Sequence, residues 1–443
     1  KKNIIMAILS KEEAQAILKK VLSYSKADAC EVSLNGSDEG NIRYARNAVS
    51  TAGQIDVMSL GVSSTFGKKT GTATINEFDD ASLKKVVERA EELAKLAPEN
   101  PEYMPPLGPQ TFAESLTYNA KTAAMNPDTR AEMVAKSLSV SKGAKLEAAG
   151  FLVNANRFSS IMNSKGLFAY NKSTNVSFSV TMRNQQGTGS GYIEQDFNNL
   201  DKMDTLALSK IAASKANGSA GAKAIEPGKY TVILEPLAAS DMLGNMFRGF
   251  DARSADEGRS FMSKKGGGTR LGEQLFSENV NIYSDPLNPE VPGSTWSGDG
   301  LPVTKTQWVQ NGVVKNLSYS RYWASQKNTQ PLPFSRSIVM EGGNQSLEDL
   351  IKSTEKGILV TRFWYIRMVD PQTLLLTGLT RDGTFYIENG EIKFPIKNFR
   401  FNESPVIMLN NVEALGKPVR TGSGLIPPMK IRDFTFSSLS DAI

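Results

Sequence analysis

Five carboxylates, Glu235, Asp241, Asp251, Asp256 and Glu257, fall within one short stretch of this 443-residue chain. Oxygen donors of this kind suit a hard cation; on the polar face of a helix they are ordinarily just solvated. Chemistry that needs imidazole is excluded, because the chain contains no histidine. That removes the commonest metal ligand and the base of a Ser-His-Asp triad. A serine activated by a desolvated lysine remains chemically open, but no spacing singles out a pair. The single cysteine, Cys30, reads as a small buried strand residue; it rules out an intramolecular disulfide framework and suits a reducing compartment. Two glycine-rich runs could approach a phosphate. Residues 185–191 lack the lysine and hydroxyl of a P-loop and read as a hairpin tip, while 264–272, with Lys264, Lys265 and Arg270, reads as a solvated loop.

The elements that would position the carboxylates begin with a short apolar strand, Tyr230 to Leu234, which turns directly into an amphipathic helix over Leu237–Phe250. Ala239, Met242, Leu243, Met246, Phe247 and Phe250 recur at three- and four-residue intervals and so share one face. Pro236 suits a first helical position, and the turn Glu235–Ser240 is rigid and carries free backbone N–H groups, a common setting for functional side chains. Hairpin signals follow, including Asn311-Gly312. Residues 227–443 are expected to form one β-rich domain covered by this helix.

Upstream, the pattern predicts an α+β half with antiparallel strands and flanking helices. Ser10 and Glu13 form a capping box for a first helix. Strands are expected over Ala29–Asn35, Asn41–Thr51, Asp56–Phe66 and Thr72–Ile75, and a helix over about Asp80–Leu96. The proline-rich run 98–109 cannot be regular structure and marks a connector. A helix over Pro127–Gly143 follows, then strands over Glu147–Ala155, Phe158–Asn163, Leu167–Thr174 and Asn175–Asn184, and a helix over about Asp204–Asn217. The expected organisation is therefore an N-terminal subdomain, 1–97, a connector, 98–126, a second subdomain, 127–225, and the domain 227–443. A net charge of +5 over this length does not demand nucleic acid, and no dense basic run with interleaved aromatics appears, so nucleic acid is disfavoured as a partner. No segment reads as a secretory signal or a spanning helix, and a cytoplasmic setting without membrane contact is expected.

The strand-to-helix turn, the order glycine loop, Leu271-Gly272, strand and Asp285-Pro286, the segments Gly298-Asp299-Gly300 and Leu332-Pro333-Phe334-Ser335-Arg336, and Val369-Asp370-Pro371 together resemble the TldD/TldE (PmbA) family, known as modulators of DNA gyrase and zinc-dependent proteases. The resemblance implies a two-domain TldD/PmbA-like α+β architecture and dimerisation. In the catalytic TldD type the turn carries His-Glu-x-x-x-His; here those positions are Glu235, Pro236 and Ser240. The cysteine ligand that the catalytic type adds near the C-terminus has no counterpart in Arg420–Met429. The resemblance therefore points to the TldE type, without catalytic residues, metal or cofactor of its own. Its zinc is expected in a histidine-bearing TldD-like paralogue, with which it forms a heterodimeric hydrolase acting on unfolded peptides. The alternative is a homodimeric regulatory protein of the gyrase-modulator kind, without catalysis.

Overall fold

The computed structural model describes residues 8–440. Its N-terminal half is organised by one six-stranded antiparallel sheet whose strands, numbered along the chain, lie in the order 3-2-1-4-5-6. A first helix α1 (Lys11–Ser23) carries the expected Ser10/Glu13 capping box. It is followed by β1 (Ala29–Ala45), β2 (Ala48–Phe66), β3 (Lys69–Ile75) and α2 (Asp80–Leu96). After the proline-rich connector come α3 (Ala120–Ala123), α4 (Pro127–Gly143), β4 (Glu147–Asn163), β5 (Phe168–Arg183), β6 (Ser190–Phe197) and α5 (Thr205–Gly218). Strands from both sides of the connector share the sheet, because β1 pairs with β4 from Glu31 opposite Asn163 to Tyr44 opposite Gly150. Two apolar clusters lie under its helices. One joins Leu18 and Val21 of α1 and Val86 and Val87 of α2 to Val32, Leu34 and Val62. The other joins Met133 and Val134 of α4 and Ala212 and Ala216 of α5 to Leu152, Phe178 and Val180.

Three expected strand boundaries are corrected here. The strand placed over Asn41–Thr51 contains the reversal between β1 and β2, at Arg46 (φ 50) and Asn47 (φ 59). Both central residues of this two-residue hairpin turn sit in the left-handed region, as a type I′ turn requires. The Asn47 side chain is anchored far away in sequence, donating to the Leu146 carbonyl at 2.7 Å and accepting from Ala148 N–H at 2.8 Å. The pairs of strands expected at Glu147–Ala155 and Phe158–Asn163, and at Leu167–Thr174 and Asn175–Asn184, are single long strands, β4 and β5, paired without interruption from Glu147 opposite Arg183 to Met162 opposite Phe168. Their polar midpoints are carried by hydrogen bonds to neighbours rather than by local propensity: β1 and β5 flank that of β4, and β4 and the connector at Thr117 flank that of β5.

The C-terminal half begins with β7 (Gly228–Leu234), in the interior of a nine-stranded sheet. It pairs antiparallel with the strand Met429–Leu439 and parallel with Lys356–Val360, and Val232, Ile233 and Leu234 are fully buried. A second, six-stranded sheet runs through Ile282–Ser284, Thr306–Gln310 and Gly424–Ile426. The helix α6 (Pro236–Phe247) contributes Ala238, Ala239, Met242, Leu243 and Met246 to one core cluster that draws on both sheets, including Val232, Ile358 and Phe434 from the larger and Ile282, Val309 and Ile426 from the smaller. α6 ends at Phe247, three residues short of the expected Phe250. Phe250 is still buried, but it is held from a turn, its N–H donating to Phe247 O at 3.2 Å. No described helix is long and apolar enough to cross a membrane.

Candidate functional site

The first turn of α6 is set by its neighbours on the sheet. Glu235 N–H donates to Val360 O at 3.0 Å, which continues the parallel pairing of β7 by one residue, and Pro236 then occupies the first helical position. Glu235 is the N-cap residue, yet its side chain makes no capping hydrogen bond. Its carboxylate instead accepts from Lys215 Nζ of α5 at 2.5 Å, with both side chains nearly nine-tenths buried. This ion pair ties the N-terminal half to the strand-to-helix turn.

From that turn α6 separates two cavities of opposite character. Ser240, Leu243, Gly244 and Phe247, three and four residues apart, face a cavity of about 560 Å³ closed by Arg248, by Phe334, Arg336 and Ile338, and by the segment Thr421–Gly424 with Ile426. Its lining includes no carboxylate. Neither the Arg248 nor the Arg336 guanidinium makes an ion pair or hydrogen bond among the described residues. A second stripe of α6, Leu237, Asp241 and Asn245, faces a cavity of about 250 Å³ completed by Glu194 of β6 and by residues 362–366. Burial, with a smaller contribution from Glu194 and against the opposing Arg362 charge, pushes the Asp241 carboxyl up to about 7. Arg362 itself is committed: it donates to the buried Asp382 at 2.8 Å and lies over the Tyr192 ring, 3.7 Å from its centroid.

The carboxylates singled out by type do not converge. Glu235 is paired with Lys215. Asp251 caps the helix Ala252–Asp256 by accepting from Ser254 N–H at 2.8 Å. Asp256 accepts from Trp323 Nε1 at 2.8 Å and lies 3.1 Å from Lys327 Nζ. Glu257 is held by Arg253 at 2.8 Å and by Arg259. Of the five, Asp241 faces the smaller of these two cavities. Among the described residues no three His, Cys, Asp or Glu side chains are placed to hold a metal ion.

Glu235, Pro236 and Ser240, which the resemblance sets against the family's metal motif, fit zinc poorly on their own chemistry. Glu235 is neutralised by an ammonium, Pro236 has no donor, and Ser240 offers only a neutral hydroxyl. Cys30 is buried in β1, in the other half of the chain, with burial pushing its thiol up. Both glycine runs are closed as phosphate cradles: Asn184 Oδ1 takes the N–H groups of Thr188 and Gly189 at 2.8 and 3.1 Å, and Glu273 pairs with Lys264 and Arg270 at 2.9 and 3.0 Å. Reasoning from residue type overlooked the arginine-lined cavity. Its one signal was Arg336 in a segment resembling the family; Arg248, Thr421 and Ser423 meet it only through the fold.

Three sequence profiles match consecutive parts of the chain: PmbA/TldA metallopeptidase domain 1 at residues 30–94, the central domain at 112–220 and the C-terminal domain at 227–438. The chain is 24% identical to a metalloprotease of Methanothermobacter thermautotrophicus over 60% of its own length and 61% of the relative's, so it spans about three fifths of that relative. It is 21% identical to the metalloprotease PmbA of Escherichia coli O157:H7, over 97% of this chain and 99% of that one. Its fold matches the crystal structure of TldE from Thermococcus kodakarensis with a TM-score of 0.85 at 18% identity, covering 97% of this chain and 100% of the other.

Proposed function

This chain belongs to the PmbA/TldD metallopeptidase family, and from that premise we propose that it is the subunit of TldE/PmbA type that holds no catalytic metal. It pairs with a His-Glu-x-x-x-His paralogue in a complex that degrades or processes unfolded peptides. The observation that carries this reading is the turn into α6. There the chain has a lysine-paired glutamate, a proline and a serine, at the positions that the resemblance assigns to the ligands and general base of catalytic members. Catalytic zinc needs about three protein ligands and an open position for water. A proline cannot accept the proton of that water. A single buried cysteine supports the cytoplasm as the setting.

The test is elemental analysis and peptide turnover, with and without chelator, on the isolated chain and after mixing with the histidine-bearing paralogue. The expected outcome is no stoichiometric zinc and no hydrolysis by the chain alone, and chelator-sensitive cleavage by the mixture. Zinc bound stoichiometrically by the isolated chain, with chelator-sensitive cleavage, would refute the assignment.

A further inference from the structure

We propose that the cavity beside Ser240 binds the free carboxylate of a peptide whose C-terminal residue is apolar. The proposal rests on the reading that this protein handles peptides, and it gives this chain its own part in recognising them.

Charge is the first ground. Arg248, at the end of α6, and Arg336 line one cavity whose walls include no acidic residue. Their guanidiniums have no partner among the described residues. Three other arginines that bridge distant elements are paired: Arg253 with Glu102 at 2.8 Å, Arg362 with Asp382 at 2.8 Å and Arg420 with Asp196 at 3.1 Å. Two unpaired cations sharing a concavity focus positive potential into it. The planar fork of arginine is matched to a carboxylate and can bind it through two parallel hydrogen bonds.

Hydrogen-bonding capacity is the second. The Ser240 and Ser423 hydroxyls line the same cavity and also lack a hydrogen bond among the described residues. Each can donate to an anionic oxygen.

The third is the apolar wall. Phe247 and Phe334 pack with ring centroids 5.4 Å apart, and Phe334 remains exposed. With Leu243 and Ile426 they give the cavity a hydrophobic side that a bare inorganic anion would leave unused. An aspartate or glutamate in mid-peptide offers the charge without the apolar body. A C-terminal leucine or phenylalanine offers both in one residue, and about 560 Å³ is within the ordinary range for small-ligand pockets.

The experiment is calorimetric titration of the full chain with acetyl-Ala-Ala-Phe as free acid and as amide, with acetyl-Ala-Ala-Glu-amide, and with inorganic phosphate. The free acid is expected to bind at least about tenfold more tightly than the amide, the size of one charge-assisted contact, and to weaken as salt rises. Arg336→Gln and Arg248→Gln, both at exposed side chains, should each reduce free-acid binding by about tenfold and leave amide binding unchanged. Equal affinity for acid and amide, unaltered affinity in both variants, equal or tighter binding of the glutamate peptide or of phosphate, or no binding by any probe would each overturn the proposal. The outcome separates from the subunit assignment. Acid-over-amide preference by a chain whose mixture with the paralogue stays inactive would sustain the pocket and sink the assignment. An active mixture without that preference would do the reverse.

Discussion

Replacing Asp241 with asparagine should make the protein more stable, and by an amount that grows with pH. The side chain faces the smaller cavity with Glu194 and Arg362, and it makes no hydrogen bond among the described residues. Burial lifts its carboxyl from an ordinary 3.8 to about 7. Below about pH 4 it is protonated in both folded and unfolded chains, and stability is unaffected. Between about 4 and 7 the folded chain keeps a proton that the unfolded chain releases, so stability falls as pH rises; above that range the group is charged in both states and the full cost stands. At about 1.4 kcal/mol per pH unit the offset is bounded near 4 kcal/mol. Water reaching the cavity reduces it, and roughly 2 kcal/mol of widening between pH 5 and pH 8 is expected. Asparagine is neutral throughout and nearly the same shape. Thermal denaturation of parent and Asp241→Asn at pH 5, 6, 7 and 8 should therefore show a gap that opens by about 4–8 °C. A gap that is constant with pH, or that closes toward pH 8, would refute the burial argument.

Two further variants probe how α6 is held. Met246 is fully buried in the cluster joining the two C-terminal sheets, so Met246→Lys should cost about 2–5 kcal/mol, read as a lowered urea midpoint; an unchanged midpoint would mean the helix face is misassigned. Lys215→Met strands the Glu235 charge in a site where both side chains are nearly nine-tenths buried. It should cost about 3 kcal/mol, and Lys215→Met with Glu235→Leu should recover most of that loss. A double variant no better than the single would show that the attraction, rather than the stranded charge, is what matters.

The sequence alone carried whatever depends on periodicity, capping and the presence or absence of a residue type. The capping box at Ser10 and Glu13, the bounds of α2 and α4, the strand-to-helix step at Leu234 and the lack of imidazole were all legible because each is a property of a few adjacent residues or of composition. Long-range pairing was not. The turn at Arg46-Asn47 is locked by a side chain reaching Leu146 and Ala148; β4 runs unbroken through polar residues between β1 and β5, and β5 does so with β4 along its whole length, β6 from Val176 onward and the connector at Thr117 and Asn119 beside Thr174. The site followed the same division. Residue types set Glu235, Pro236 and Ser240 apart from a His-Glu-x-x-x-His sequence, yet only the fold revealed that Lys215 answers Glu235. Only the fold, too, buries Asp241 against Glu194 and sets Arg248 and Arg336 around one cavity. Desolvation and charge pairing depend on distances across elements far apart in the chain, and no local pattern encodes those distances.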